Sequence, residues 1–124
     1  MREVNYEVCM EGMPMPEPAL WSLRFSSDLG IHRGGIVVIE DGKILGGDSG
    51  FTYVGRLRTE RSRMVANLRV AKYLVGAPPI FGMDNFEAEL TAQPDEHQLR
   101  FTGFIVGAPG NTIAVDMVRR VELS

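Results

Sequence analysis

The chain has 124 residues, 44% hydrophobic and 23% charged, so we expect one soluble domain with a real core rather than a large multi-domain enzyme. Its net charge of -3 argues against general nucleic-acid binding. The single cysteine, Cys9, permits no intramolecular disulfide, and no apolar run approaches the roughly 20 residues of a membrane-spanning helix. These features predict a cytoplasmic protein with no membrane and no direct nucleic-acid partner.

The first 19 residues differ in composition from the rest. They contain four methionines and three prolines, Pro14, Pro16 and Pro18, which exclude a regular helix or a central strand. We therefore predict a flexible extension over residues 1–19 and a single domain over residues 20–124. From Leu20 onward apolar and polar side chains alternate, which predicts a first strand.

Further alternating runs follow in chain order. Residues 35–40 and 43–46 flank Asp41-Gly42, a pair suited to a type I′ hairpin turn. After a turn at residues 47–50, strands four and five form the longest predicted hairpin, with its tip at residues 59–62. Residues 74–84 contain Pro78-Pro79 and are predicted to be a loop or a short helical turn.

The last three strands are predicted over residues 86–91, 99–105 and 113–117. Turns are expected at Pro94-Asp95-Glu96 and at Ala108-Pro109-Gly110-Asn111. Eight strands joined by short turns describe an antiparallel meander, and closure into a barrel removes the edges of such a sheet. The expected fold is therefore all-β, an eight-stranded antiparallel up-and-down barrel of the lipocalin-like kind.

A barrel of eight strands is either filled by side chains or holds one small ligand. The second case leads to an alternative function, a carrier that binds a small apolar, lipid-like molecule inside the barrel. The candidate lumen residues are Trp21, Phe25, Leu68, Phe86, Phe101 and Met117.

The second strand is apolar on both faces through Ile36, Val37, Val38 and Ile39. Its outward pair needs a cover, which is either another part of the chain or a second subunit. These four residues are therefore the candidate interface of a homodimer.

Four arginines surround the tip of the longest hairpin in an otherwise acidic chain. We call this segment the arginine hairpin, which comprises Arg56, Arg58, Thr59, Glu60, Arg61, Ser62 and Arg63. One interpretation is a solvated turn. The functional one is a protein-binding element for an acidic surface or anionic group, because guanidinium groups pair with carboxylates and phosphates.

Catalytic and metal-binding patterns are weak. Gly47-Asp48-Ser49-Gly50 matches the sequence around the nucleophile of chymotrypsin-like proteases, but neither His32 nor His97 lies in the sequence context of that family. The glycines and Asp48 suit a tight turn instead. Glu87 and Glu89 share one strand face, which we interpret as solvated. We predict no enzyme activity, no metal and no cofactor.

Several segments resemble the GrlR-type negative regulators of type III secretion and their bacterial relatives. The likeness covers residues 20 to about 122. It is carried by residues 20–25, by residues 35–38 with Asp41-Gly42, and by Gly46-Gly47-Asp48 followed by Tyr53-Val54-Gly55. This resemblance implies a lipocalin-like barrel that dimerises and sequesters a transcriptional activator.

The hairpin tip departs from that family. The regulator that gives the family its name carries an acidic Glu-Asp-Glu-Asp stretch there, which engages the activator, whereas this chain reads Thr59-Glu60-Arg61-Ser62 between further arginines. A basic tip repels a surface that an acidic tip binds. The preferred hypothesis is thus a non-enzymatic regulatory or protein-binding barrel that sequesters a transcriptional activator or another partner, with the arginine hairpin as its recognition element.

Overall fold

Eight antiparallel strands form the part of the chain that this computed structural model describes, namely residues 17–27, 30–95 and 97–123, without the side chains of residues 30–33. The strands are β1 (Ala19–Ser27), β2 (Gly30–Glu40), β3 (Lys43–Gly47), β4 (Phe51–Glu60), β5 (Arg63–Lys72), β6 (Asn85–Ala92), β7 (Gln98–Ile105) and β8 (Ala108–Glu122). Each strand pairs with the next, and β8 pairs with β1, so the sheet closes on itself. The predicted all-β, eight-stranded up-and-down barrel is confirmed.

The barrel begins close to the predicted domain boundary. Strand β1 starts at Ala19, and the amide of Leu123 donates to the carbonyl of Pro18 at 3.1 Å. Pro18 and Ala19 thus belong to the hydrogen-bonded barrel rather than to an extension. Of the predicted extension, residues 1–16 lie outside the described residues.

The core lies inside the barrel and is built by alternation along each strand. Aromatic rings fill one end, where Phe25 contacts Tyr53 with ring centroids 5.2 Å apart. The loop between β5 and β6 contains no helix and closes this end. In that loop Phe81 and Gly82 have positive φ angles of 53° and 76°, and the ring of Phe81 packs 5.8 Å from that of Phe86.

The sequence predicts the turn between β2 and β3 correctly and the turn between β7 and β8 incorrectly. Asp41 and Gly42 have φ angles of 54° and 76°, as a type I′ turn requires, so the turn between β2 and β3 is confirmed. The prediction of a turn at residues 108–111 is wrong. The chain turns earlier, at Val106-Gly107, and residues 109–111 form a bulge between Ala108, paired with Ile105, and Thr112, paired with Phe104.

Glycines also let neighbouring strands approach closely within the sheet. A Cβ atom on Gly55 would lie 2.2 Å from the carbonyl oxygen of Asn67, and one on Gly103 would lie 1.9 Å from that of Glu89. No side chain fits at these separations. These two glycines therefore serve the close approach of neighbouring strands rather than a turn.

Candidate functional site

The arginine hairpin is the end of β4 and the beginning of β5. Strand β4 alternates so that Arg56 and Arg58 are exposed on the outside while Leu57 is buried in the core. The turn is shorter than predicted, because Glu60 pairs directly with Arg63 and only Arg61 and Ser62 connect the strands. The barrel thus supports the arginines on two hydrogen-bonded strands.

The four arginines differ in how they are held. Arg58 donates through Nε to Glu60 Oε2 at 3.0 Å and through one terminal nitrogen to Asn67 Oδ1 at 2.9 Å. Within the described ranges, no side chain forms an ion pair with Arg56, Arg61 or Arg63. Three guanidinium groups at this hairpin are therefore available to an external anion.

The predicted lumen residues all lie in the hydrophobic core. Trp21 and Phe25 are fully buried, and the other four, Leu68, Phe86, Phe101 and Met117, are also buried. The void between Leu68, Phe101, Met117 and their neighbours has a volume of about 10 Å³. That is about the size of one water probe, whereas ligand pockets measure several hundred Å³. This void between the described core residues is therefore too small for a lipid-like ligand.

The candidate dimer residues divide between the two faces of β2. Val37 and Ile39 are each only 1% exposed and belong to the core, so their assignment to an interface is corrected: alternation points them into the barrel. Ile36 and Val38 point outward, and Ile36 is 51% exposed. Only this second pair remains as a candidate interface.

Val38 belongs to a longer outward line of apolar side chains, which we call the apolar row. Its members are successive cross-strand partners on β8, β1, β2, β3 and β4, namely Val121, Leu20, Val38, Leu45 and Val54. Only the member on β2 is evident from the sequence, because the alignment of the other members depends on the register in which the strands pair. A row of this kind is typical of an interface.

A groove of about 360 Å³ lies on the outer surface at the β4 end of the apolar row. Leu45, Val54 and Gly55 contribute to its apolar wall, and Lys43 and Arg56 stand at its side. The groove lies directly beside the arginine hairpin, with which it shares Arg56. Sequence reasoning missed Lys43, whose contribution depends on its position opposite Arg56.

The turn at residues 47–50 has a structural role. Asp48 Oδ1 accepts hydrogen bonds from the backbone amides of Gly50 and Phe51, each at 2.8 Å. Asp48 Oδ2 accepts a hydrogen bond from the hydroxyl of the buried Tyr53. The predicted backbone-binding role of Asp48 is confirmed. Ser49 is exposed beside this network.

Two ion pairs elsewhere on the barrel join neighbouring strands. Arg69 contacts Glu87 at 3.4 Å and Arg100 contacts Asp116 at 2.7 Å. Among the described residues, no group of three or more His, Cys, Asp or Glu side chains is arranged to hold a metal ion.

No family model matches the chain, and no curated protein matches it significantly. The described part of the chain also contains no helix long and apolar enough to cross a membrane. The structure thus defines the protein as an eight-stranded antiparallel barrel with a hydrophobic core, a basic hairpin and an outer groove beside it.

Proposed function

We propose that the protein is a non-enzymatic regulatory barrel that binds an acidic surface of a protein partner through the arginine hairpin. The observation that carries this proposal is the exposed position of Arg56, Arg61 and Arg63 without a carboxylate partner among the described residues. Guanidinium groups bind carboxylates in a bidentate geometry. A tip supported by a rigid scaffold is a common site of recognition.

The resemblance to GrlR-type regulators supports the same kind of role. Members of that family act by sequestering a transcriptional activator, and the proposed partner is likewise a regulatory protein of the cytoplasm. Because the tip of this chain is basic, the partner's contact surface is acidic.

Affinity capture from the source organism tests the proposal with three forms of the protein. The first is the wild type, the second changes Arg56, Arg58, Arg61 and Arg63 to Gln, and the third changes Arg24, Arg100, Arg119 and Arg120 to Gln. Both variants lose the same positive charge. We expect an acidic partner to be captured by the wild type and the control, lost by the hairpin variant, and released at high salt. Equal capture by the hairpin variant would exclude a role for these arginines.

We further propose that the protein is a homodimer that buries Ile36 and Val38. Val38 belongs to the apolar row and Ile36 lies on the same outer face two residues away. Self-complementary apolar patches are typical of two-fold dimers. Sedimentation should give twice the chain mass of 13.7 kDa for the wild type and the single mass for Ile36→Asp or Val38→Asp. Thr102→Asp, on the exposed face of β7, is the matched control and should remain dimeric. A dimeric mass for both β2 variants would refute this interface.

A further inference from the structure

The groove beside the arginine hairpin combines an apolar wall with two unpaired cations. Lys43 and Arg56 are direct cross-strand partners on β3 and β4, and both are exposed on the outer face. Like charges in directly opposite positions destabilise a sheet. The described part of the chain provides no carboxylate that pairs with either group. Glu40, the cross-strand partner of Lys43 on β2, does not contact it either, so both cations can contact an external carboxylate.

The neighbouring polar groups are already occupied. Asn67, the partner of Arg56 on β5, accepts from Arg58, and Glu87, at the far side of the groove, contacts Arg69. An external carboxylate between Lys43 and Arg56 would offset the repulsion between these two cations without breaking any of these contacts.

The apolar part of the groove stands at a fixed distance from the cations. Leu45 and Val54 are also direct partners, and each lies two residues from the cation on its own strand. Two residues along a strand span about 6.6 Å, and side chains i and i+2 share a face. An extended peptide has the same spacing between alternate side chains.

We propose that the groove binds an extended acidic segment of the protein partner, in which an acidic and an apolar residue are separated by one residue. The carboxylate lies between Lys43 and Arg56, and the apolar side chain covers Leu45 and Val54. This inference rests on the proposed function, to which it adds the sequence pattern that the partner must carry. It also extends the contact surface from the hairpin tip onto β3.

Selection of a displayed library of random nonapeptides on the full-length protein tests this pattern. We expect enriched peptides to carry an acidic and an apolar residue with one residue between them. They should bind Lys43→Gln/Arg56→Gln at least about fivefold more weakly than the wild type. They should also bind Leu45→Thr/Val54→Thr more weakly, because the apolar contact is reduced. Arg24→Gln/Arg100→Gln loses the same charge elsewhere and should bind as the wild type does.

Two outcomes would overturn the inference. One is enrichment without acidic residues or without a fixed spacing. The other is that sodium octanoate displaces peptides with this spacing as readily as it displaces peptides without it. That result would indicate a site for small amphiphilic anions rather than for an extended peptide. The selected peptides could lack this pattern while the hairpin variant still fails to capture the partner. That combination would refute the proposed peptide pattern and leave the proposed function standing. The near-ultraviolet signal of buried Trp21 verifies that each variant is folded.

Discussion

Replacing Arg56 by glutamate should stabilise the folded protein, although Arg56 belongs to the proposed binding surface. The change converts the opposed pair of cations, Lys43 and Arg56, into a cross-strand ion pair. Two unit charges about 6 Å apart in water interact by roughly 0.7 kcal/mol. Reversing the sign of one charge replaces repulsion by attraction, so the change in interaction energy is twice this value. Screening and side-chain freedom reduce it. We therefore expect a gain of about 0.5 to 1 kcal/mol in the free energy of unfolding.

Urea unfolding is the suitable assay, because urea is uncharged and leaves the charge interaction unscreened. The fluorescence of Trp21, the single tryptophan and fully buried, reports on the transition. The gain should shrink in 1 M salt, where the Debye length is about 3 Å. Arg69→Glu is the matched control, since it places a second carboxylate beside Glu87 and should destabilise the protein. A loss of stability for Arg56→Glu, at low salt, would refute the assigned repulsion.

Two further predictions concern the turns. Tyr53→Phe should lower the free energy of unfolding by about 2 kcal/mol, because the partly buried carboxylate of Asp48 loses a hydroxyl donor; a change below about 0.5 kcal/mol in urea unfolding would contradict this. The backbone amides of His97 and Gln98 donate to Asp95 and hold the pKa of its carboxyl below the ordinary value of 3.8. Its contribution to stability is therefore complete above pH 3.8 and lost as the pH falls through the lower folded pKa; a carbon NMR titration midpoint at or above 3.8 would contradict this.

The strand pattern could be predicted from sequence because every strand has one face in the core. Alternation identifies such strands, and Asp41-Gly42 marks the hairpin turn unambiguously. The same reasoning fails at residues 109–111, where proline, glycine and asparagine indicate a turn but occupy a bulge in β8. These residue types tolerate a bulge as readily as a turn. The actual turn at Val106-Gly107 depends on a single glycine with a φ angle of 90°.

The sequence alone predicts only part of the candidate site. A cluster of arginines along one segment is visible in the sequence, whereas the opposition of Lys43 and Arg56 depends on the register of β3 against β4. A shift of one residue in that register would place Lys43 beside Gly55 or Leu57 instead. The apolar row has the same origin, because its five members come from five different strands.

The two cations beside the groove, Lys43 and Arg56, form no ion pair with a described carboxylate. Carboxylates are in excess in the chain, sixteen against thirteen basic side chains, so a shortage of acids does not explain the unpaired cations beside the groove. Elsewhere on the described surface Lys72 pairs with Asp84 and Arg100 with Asp116, each at 2.7 Å. Glu40 is the cross-strand partner of Lys43 on β2, yet it forms no ion pair with Lys43, and Arg56 has only Asn67 and Lys43 as cross-strand partners. A site that retains a locally unfavourable charge pair in this way is typical of a surface whose counter-charge is supplied by a partner.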